Sequence, residues 1–298
     1  MAIYKHICVI INPAAGADKP VLSILNSAFQ PSGIDWDVFV TKKPGDARRF
    51  TQQAVAAGVD AVAAYGGDGT IMEVISGLVG SQIPLAILPG GTGNGASFEL
   101  HIPVDLSQAC ALITGDGGKI RVVDIGQIGE NYFLLNAGVG FATSMMEGAE
   151  RSSKDRLGLL AYFISGIQTL RDPPLAKYHL TMDGKSLDLE GISCLIANSG
   201  ALGSLGVKLA PNIGISDGLL DVVVIGNGDM GALLSVAASV ISGNEHAAQL
   251  QHWQAKEIAL VTDPPQTLQL DGDVIGTTPF TAKILPKAIQ IIVPKSTD

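Results

Sequence analysis

The sequence predicts a two-part chain, an α/β domain followed by a mainly β domain. Three observations carry this. In the first 115 or so residues, short apolar runs alternate with stretches of helical period, the pattern of a parallel, doubly wound sheet. Beyond Lys119 the apolar runs lengthen and several are joined by tight turns, the pattern of antiparallel sheet. The length, 298 residues, suits two domains better than one.

The elements follow in order. Residues 7–11 are a continuous apolar run, as in a strand covered on both faces. A turn comes next at Asn12-Pro13-Ala14-Ala15-Gly16. Val21, Leu22, Leu25, Ala28 and Phe29 then recur at helical spacing, with Pro20 near the first turn. Ile34, Trp36, Val38 and Val40 alternate as a strand. Residues 46–57 read as a helix with Ala47, Phe50, Ala54 and Val55 inward and Gly58 as its stop. Residues 60–65 read as a strand, 71–79 as a helix, 84–88 as a strand and 105–114 as a helix. In the second part, Gly129-Glu130-Asn131 and Asp183-Gly184 each separate two apolar runs, a hairpin signal. Helical spacing returns at 157–170 and 230–241, and strands are expected at 219–225, 256–261, 268–270, 281–285 and 289–293. No internal repeat or obvious linker intervenes, so the two domains, 1–125 and 126–286, are expected to share a tight cleft.

Composition excludes several classes of function. The chain is 47% hydrophobic and 16% charged, with a net charge of −9. It therefore offers no electrostatic footprint for nucleic acid, and any membrane contact is expected to be local and apolar. Cys8, Cys110 and Cys194 each sit in an apolar stretch without a close partner, as buried thiols do in a reducing compartment. No apolar run reaches the ~18–20 residues that span a bilayer. The longest candidate, 231–243, reads as a core helix. With no leader pattern before the first strand, a cytoplasmic protein is expected.

Chemistry concentrates in three glycine-bearing loops, Asn12–Gly16, Gly66–Thr70 and Gly90–Asn94, each expected at the carboxyl end of a strand. Open α/β sheets bind ligands there, and glycine lets backbone amides reach phosphate oxygens. The first two loops lead into helices, whose N-termini favour anions. Asp68 in the middle loop would repel phosphates. It makes sense beside them with a divalent cation in between, or as the anchor of a hydrogen-bond network behind the ligand. No P-loop sequence and no dinucleotide-binding fingerprint is present.

These residues resemble a known family. Gly66-Gly67-Asp68-Gly69-Thr70 after an apolar strand looks like the signature of diacylglycerol, sphingosine and NAD kinases and of phosphofructokinases. Asn12-Pro13-Ala14-Ala15-Gly16, Thr41 ahead of Gly45-Asp46-Ala47, and Leu88-Pro89-Gly90-Gly91-Thr92-Gly93-Asn94 narrow the match. So do Val123-Asp124-Ile125-Gly126, Pro211 with Asp217-Gly218-Leu219-Leu220-Asp221, and Leu270-Asp271-Gly272-Asp273. In that order and spacing they resemble the soluble bacterial diacylglycerol kinase-like lipid kinases. The resemblance implies an N-terminal α/β nucleotide-binding domain joined by residues 287–298, and a C-terminal antiparallel β-sandwich domain that takes the lipid.

It also implies roles. Asn12, Thr41, Gly66, Gly67, Asp68, Gly69, Thr70, Gly91, Thr92, Asn94 and Asp273 would line ATP. Asp271 would be the general base, with Asp68 beside it in the catalytic machinery. Asp217 would hold a structural Mg²⁺ with the carbonyls of Gly214 and Leu219 and several waters, and that ion and its waters would link Asp217 to Asp68 and Asp124. The acceptor would be diacylglycerol or a similar amphipathic alcohol. An apolar cleft is expected around 134–141 and 195–209. The expected partners are a lipid met transiently at the inner membrane face and at most a second copy of the chain, with no nucleic acid.

The chain departs from the family pattern in places. Ala15 replaces a serine, Gly95 an acidic residue, and Ala96-Ser97-Phe98 the usual Phe-Ala-Arg. Asp46 stands where many members have histidine, and Asp273 shortens a glutamate. Two other readings fit the glycine signature. One is an NAD kinase, whose downstream Asn-Glu sequence is not in place here. The other is a degenerate lipid- or nucleotide-binding regulator, which the retained Asp68, Asp217 and Asp271 oppose.

Overall fold

A computed structural model describes residues 4–16, 19–115, 117–140, 175–200, 213–226 and 252–295. The helices expected at 157–170 and 230–241, Pro211, and residues 201–209 of the expected cleft lie outside these. The chain forms two compact units, residues 1–123 with 287–298, and residues 124–286.

The first unit alternates strand and helix: β1 (His6–Ile11), α1 (Val21–Ser32), β2 (Asp35–Val40), α2 (Asp46–Ala57), β3 (Ala61–Gly66), α3 (Asp68–Leu78), β4 (Leu85–Pro89), α4 (Gly95–Glu99) and α5 (Leu106–Thr114). The strands run parallel in the order β2-β1-β3-β4. β1, β3 and β4 are buried almost throughout, which is why they read as unbroken apolar runs. β2 lies at the sheet edge and leaves Val38 and Val40 exposed. Helix ends follow the glycines: Gly33 and Gly58 adopt left-handed φ of 69° and 71° and close α1 and α2.

Three sequence expectations need correction here. On α1, Leu25 and Phe29 are buried but Leu22 is 56% exposed, because it lines an open surface pocket with Val40 rather than the core. On α2 the buried set is Asp46, Ala47, Thr51 and Ala54, not Phe50 and Val55. Thr51 turns inward because Gly77 of α3 leaves room for it: a Cβ there would stand 2.6 Å from Thr51 Cβ. The short α4 was not expected, since five residues carry too little period to be seen.

β5 (Gly118–Ile128) carries the chain into the second unit. There follow β6 (Asn131–Phe133), β7 (Asn136–Gly140), β8 (Ala176–Met182), β9 (Lys185–Gly191), β10 (Ser193–Ala197), β11 (Leu220–Ile225), β12 (His252–Ala255), β13 (Glu257–Asp263), β14 (Thr267–Leu270), β15 (Asp273–Thr277) and β16 (Phe280–Pro294). Six strands in the order β12-β11-β10-β7-β14-β15 form an antiparallel sheet. A second antiparallel layer joins the start of β16 to β13, β8 and β9. Ile196, Val222 and Leu268 of the first layer and Tyr178, Leu180, Ile258 and Leu260 of the second share one buried core. The hairpin at Asp183-Gly184 has φ of 47° and 81°, both positive as a two-residue type I′ turn requires. β16 was expected as two strands. It is one strand whose Lys287 has a left-handed φ of 54°, and Ile291 pairs with Leu85 of β4 in the first unit.

Candidate active site

In the first unit, β1, β3 and β4 each end on one of the glycine-bearing loops, and the second and third touch backbone to backbone. Gly90 N–H donates to the Gly66 carbonyl (2.9 Å). A Cβ on Gly91 would lie 2.5 Å from Gly67 Cα, so only glycine fits. A Cβ on Gly66 would likewise fall 2.5 Å from Thr70 Cβ. The first loop joins through side chains: Asn12 Nδ2 donates to Thr70 Oγ1 (3.0 Å), while Asn12 Oδ1 accepts from Ala14 N–H (3.0 Å). Beneath all three sits Tyr65, 2% exposed. Its hydroxyl would be 2.7 Å from a Cβ on Gly16, and its Cζ 2.9 Å from one on Gly90.

Each polar residue expected to line the nucleotide has a definite place. Thr41 is buried at the end of β2, its N–H and hydroxyl both directed to the Ile11 carbonyl (2.9 and 3.4 Å). Asn94 closes its own loop: φ is 52°, Nδ2 donates to Gly91 O (2.7 Å) and Oδ1 accepts from Gly91 N–H (3.0 Å). Thr92 and Gly69 are exposed, and Gly67, Asp68 and Gly91 half-buried. Asp68 accepts from Gly95 N–H (3.1 Å) and Ala96 N–H (3.2 Å) at the start of α4. Its carboxylate thus ties the second loop to the end of the third, at the N-terminus of α3, the helix end that favours an anion.

The second unit gathers carboxylates around backbone amides. Asp271 occupies the turn between β14 and β15 with a left-handed φ of 48°. Leu134, Leu135 and Asn136 all donate their N–H groups to its carboxylate (2.7, 2.9 and 2.8 Å). Charge-assisted bonds of this kind fix a carboxylate's orientation. Asp273, two residues on, is exposed on β15. Asp124 is buried, and its Oδ2 accepts from Gly218 N–H (2.6 Å). Asp217 is exposed on the same turn; its Oδ1 accepts from Leu219 N–H (3.0 Å) and its N–H reaches Gly214 O (3.4 Å).

The turn at 214–219 suits a hard cation. Its available donors are oxygens, and Asp217 Oδ2 fills the space over Gly214, 3.2 Å from where a Cβ would stand. Among the described residues no three His, Cys, Asp or Glu side chains cluster around a metal position, so an ion here would rest on one carboxylate, carbonyls and water. Close by in sequence, Asp221 is buried opposite Gln254 of β12. Burial pushes its carboxyl up from the usual range; a hydrogen bond from Gln254 opposes this, Asp217 adds to it, and His252, 3.8 Å away, opposes it more weakly. The three cysteines are buried and unbridged, their thiols pushed up to about 12 by burial.

Residues 6–128 match the diacylglycerol kinase catalytic domain, and residues 137–293 match the YegS C-terminal NAD kinase beta sandwich-like domain. The chain belongs to the diacylglycerol kinase-like lipid kinase family. Members are phosphotransferases with an alcohol acceptor, and so is this chain. It is 28% identical over 297 residues to the diacylglycerol kinase of Bacillus subtilis (strain 168), covering 98% of this chain and 97% of that protein. A protein of Synechocystis sp. is 34% identical over 252 residues, 83% of this chain; the alignment spans 58% of that protein's length. The crystal structure of a diacylglycerol kinase from Bacillus anthracis str. Sterne superposes with a TM-score of 0.83 at 25% identity, covering 100% of both chains. The α/β domain and the β-sandwich domain are those of this family.

Of the expected residues, Asn12, Gly66, Gly67, Thr70, Gly91 and Asn94 come together in the first unit, and Asp124 with the 214–219 turn in the second. Sequence reasoning missed Tyr65 and Asn198. Tyr65 gave one signal, a large aromatic between an apolar strand and Gly66. Asn198 gave a fainter one, a lone amide closing the run 193–197.

Proposed function

We propose that this family member is an ATP- and Mg²⁺-dependent lipid kinase that phosphorylates the hydroxyl of diacylglycerol or a closely similar amphipathic alcohol. One observation carries the reading: the Asp271 carboxylate is half-buried and held by three backbone N–H groups, an oriented base on a chain whose glycine loops are built for phosphate.

The first unit would bind the triphosphate. The N-terminus of α3 would face its phosphates, the glycines at 66, 67 and 91 let the loops close up beneath it, and Asp68 and Asn94 keep those loops in register. Gly69, Thr92 and Thr41 would border the nucleotide. In the second unit, Asp271 would accept the proton of the acceptor hydroxyl. The hydroxyl oxygen bonds to the γ-phosphorus, the bridging P–O bond breaks, and ADP leaves with that electron pair. General-base assistance typically contributes roughly 10²–10⁴-fold, and positioning supplies much of the rest. Asp217, with the Gly214 and Leu219 carbonyls, would hold Mg²⁺, which supplies positive charge and order at a carboxylate-rich turn. Asp124 braces that turn through Gly218. Asp273 would reach the nucleotide through water. The site of action would be the inner membrane face, consistent with the absence, among described residues, of any helix long and apolar enough to cross a membrane.

The test is transfer of labelled phosphate from ATP, with Mg²⁺, to vesicles carrying diacylglycerol, a sphingoid base or phosphatidylglycerol, with NAD as a soluble competitor. The expected result is label on a lipid, diacylglycerol foremost. Label on NAD and on no lipid would overturn the reading.

A further inference from the structure

Asn198 follows β10 and is fully buried. Its Nδ2 gives both hydrogens to main-chain carbonyls, Leu134 O at 2.7 Å and Asp124 O at 2.9 Å. Its own N–H goes to Leu135 O (2.8 Å), and Ser199 N–H goes to the same oxygen (3.1 Å). Its Oδ1 is buried with no hydrogen-bond partner among the described residues. Turning the amide over would set that oxygen against two carbonyl oxygens, so the donors fix the orientation. A buried acceptor left unpaired costs stability, and an apolar side chain would avoid the cost. What asparagine supplies in exchange is two donors at one point.

Those donors act on the segment that grips Asp271. The Asn198 side chain holds the Leu134 carbonyl, and the main-chain N–H groups of Asn198 and Ser199 hold that of Leu135; the N–H groups that follow these carbonyls, of Leu135 and Asn136, go to the Asp271 carboxylate, and Leu134 N–H adds a third. A peptide plane fixed at its carbonyl end is fixed at the neighbouring N–H as well. The same Nδ2 pins the main chain of Asp124, whose carboxylate holds Gly218. We propose that Asn198 is a positioning residue: its side chain fixes the Leu134–Leu135 peptide, beside the Leu135–Asn136 peptide held by its main chain, so that these amides converge on Asp271, and it ties that clamp to the Asp124 main chain. The inference rests on the assignment of Asp271 as general base.

The test compares wild type, Asn198→Leu, Asn198→Ser and Asp271→Asn as purified full-length proteins. Two quantities are read: lipid kinase kcat and KM for ATP, and amide hydrogen exchange by mass spectrometry. A displaced catalytic group costs on the order of 100-fold, so kcat of Asn198→Leu should fall by about that much with KM for ATP unchanged. Exchange at 134–136 should speed up while the ladder between β10 and β11 stays protected. Asn198→Ser, which keeps one donor, should fall between the two, and it serves alone if the leucine variant does not fold. Two results overturn the proposal: wild-type kcat in both folded Asn198 variants, or faster exchange across β10 and β11 in step with 134–136. In either case an inactive Asp271→Asn leaves the base assignment standing. Full activity in Asp271→Asn overturns the base assignment and this inference with it.

Discussion

Asp68, Asp124 and Asp271 share one device: each carboxylate accepts hydrogen bonds from backbone amides of a segment distant in sequence. The donors lie 27 and 28 positions from Asp68, 94 from Asp124 and 135 to 137 from Asp271. This explains what was legible at this scale. The sequence marks the carboxylates, because Asp beside glycine in an apolar context stands out. It does not mark their partners, because a backbone N–H belongs to every residue alike. Asp46 uses the device locally. Arg49 Nη2 donates to its Oδ1 (2.9 Å), and the amides of Lys42 and Lys43 donate to its Oδ2 (2.9 and 3.2 Å). The Arg49 guanidinium first, and then those amides, hold its carboxyl at about 2, against an ordinary 3.8. A carboxyl depressed in the folded state adds stability above its unfolded value and loses it as pH falls through the folded one. Asp46→Asn should therefore melt below wild type at neutral pH. Thermal melts should show the gap closing between pH 3.8 and about 2. A gap that stays constant across that window would show that the charge is not what Asp46 contributes.

At the scale of elements, the first unit works because two loops approach at van der Waals distance without side chains in the way. Gly91 and Gly67 differ sharply in what they tolerate. A Cβ on Gly91 would sit 2.5 Å from backbone that cannot swing aside, whereas a Cβ on Gly67 would sit 3.4 Å from Gly91 Cα, an ordinary contact. Overpacking of this kind costs roughly 1–3 kcal/mol, about fivefold or more if it falls on the bound state. Gly91→Ala should weaken ATP binding by about that factor in calorimetric titration, and Gly67→Ala should bind near wild type. Equal affinities for the two variants would contradict the steric account. Elements were legible where their period survived burial: β1, β3 and β4 as apolar runs, and the Asp183-Gly184 hairpin from its turn residues. α4 was not, being too short, and β16 was split by Pro286 and Lys287, where the backbone turns left-handed yet the strand continues. On α2 the threonine rather than the phenylalanine went inside, decided by a glycine on another helix that no local pattern reveals.

At the scale of the whole molecule, the proposed reaction would divide its residues between the two units. The first holds the glycine loops and Asp68; the second holds Asp124, the 214–219 turn and Asp271. The family of the whole chain was legible because its signatures are short, ordered and spread over both units, and each contains glycine or aspartate whose backbone role tolerates little substitution. The clamp of Asn198 on residues 134–136 was not, since it exists only once β7, β10 and β14 lie side by side. The central claim is that Asp271 removes the proton from a lipid hydroxyl. The most direct measurement is kcat of Asp271→Asn on diacylglycerol vesicles, with ATP affinity determined on the same protein. The account predicts a loss of roughly 10²–10⁴-fold in kcat with ATP affinity unchanged; wild-type kcat in that variant would contradict it.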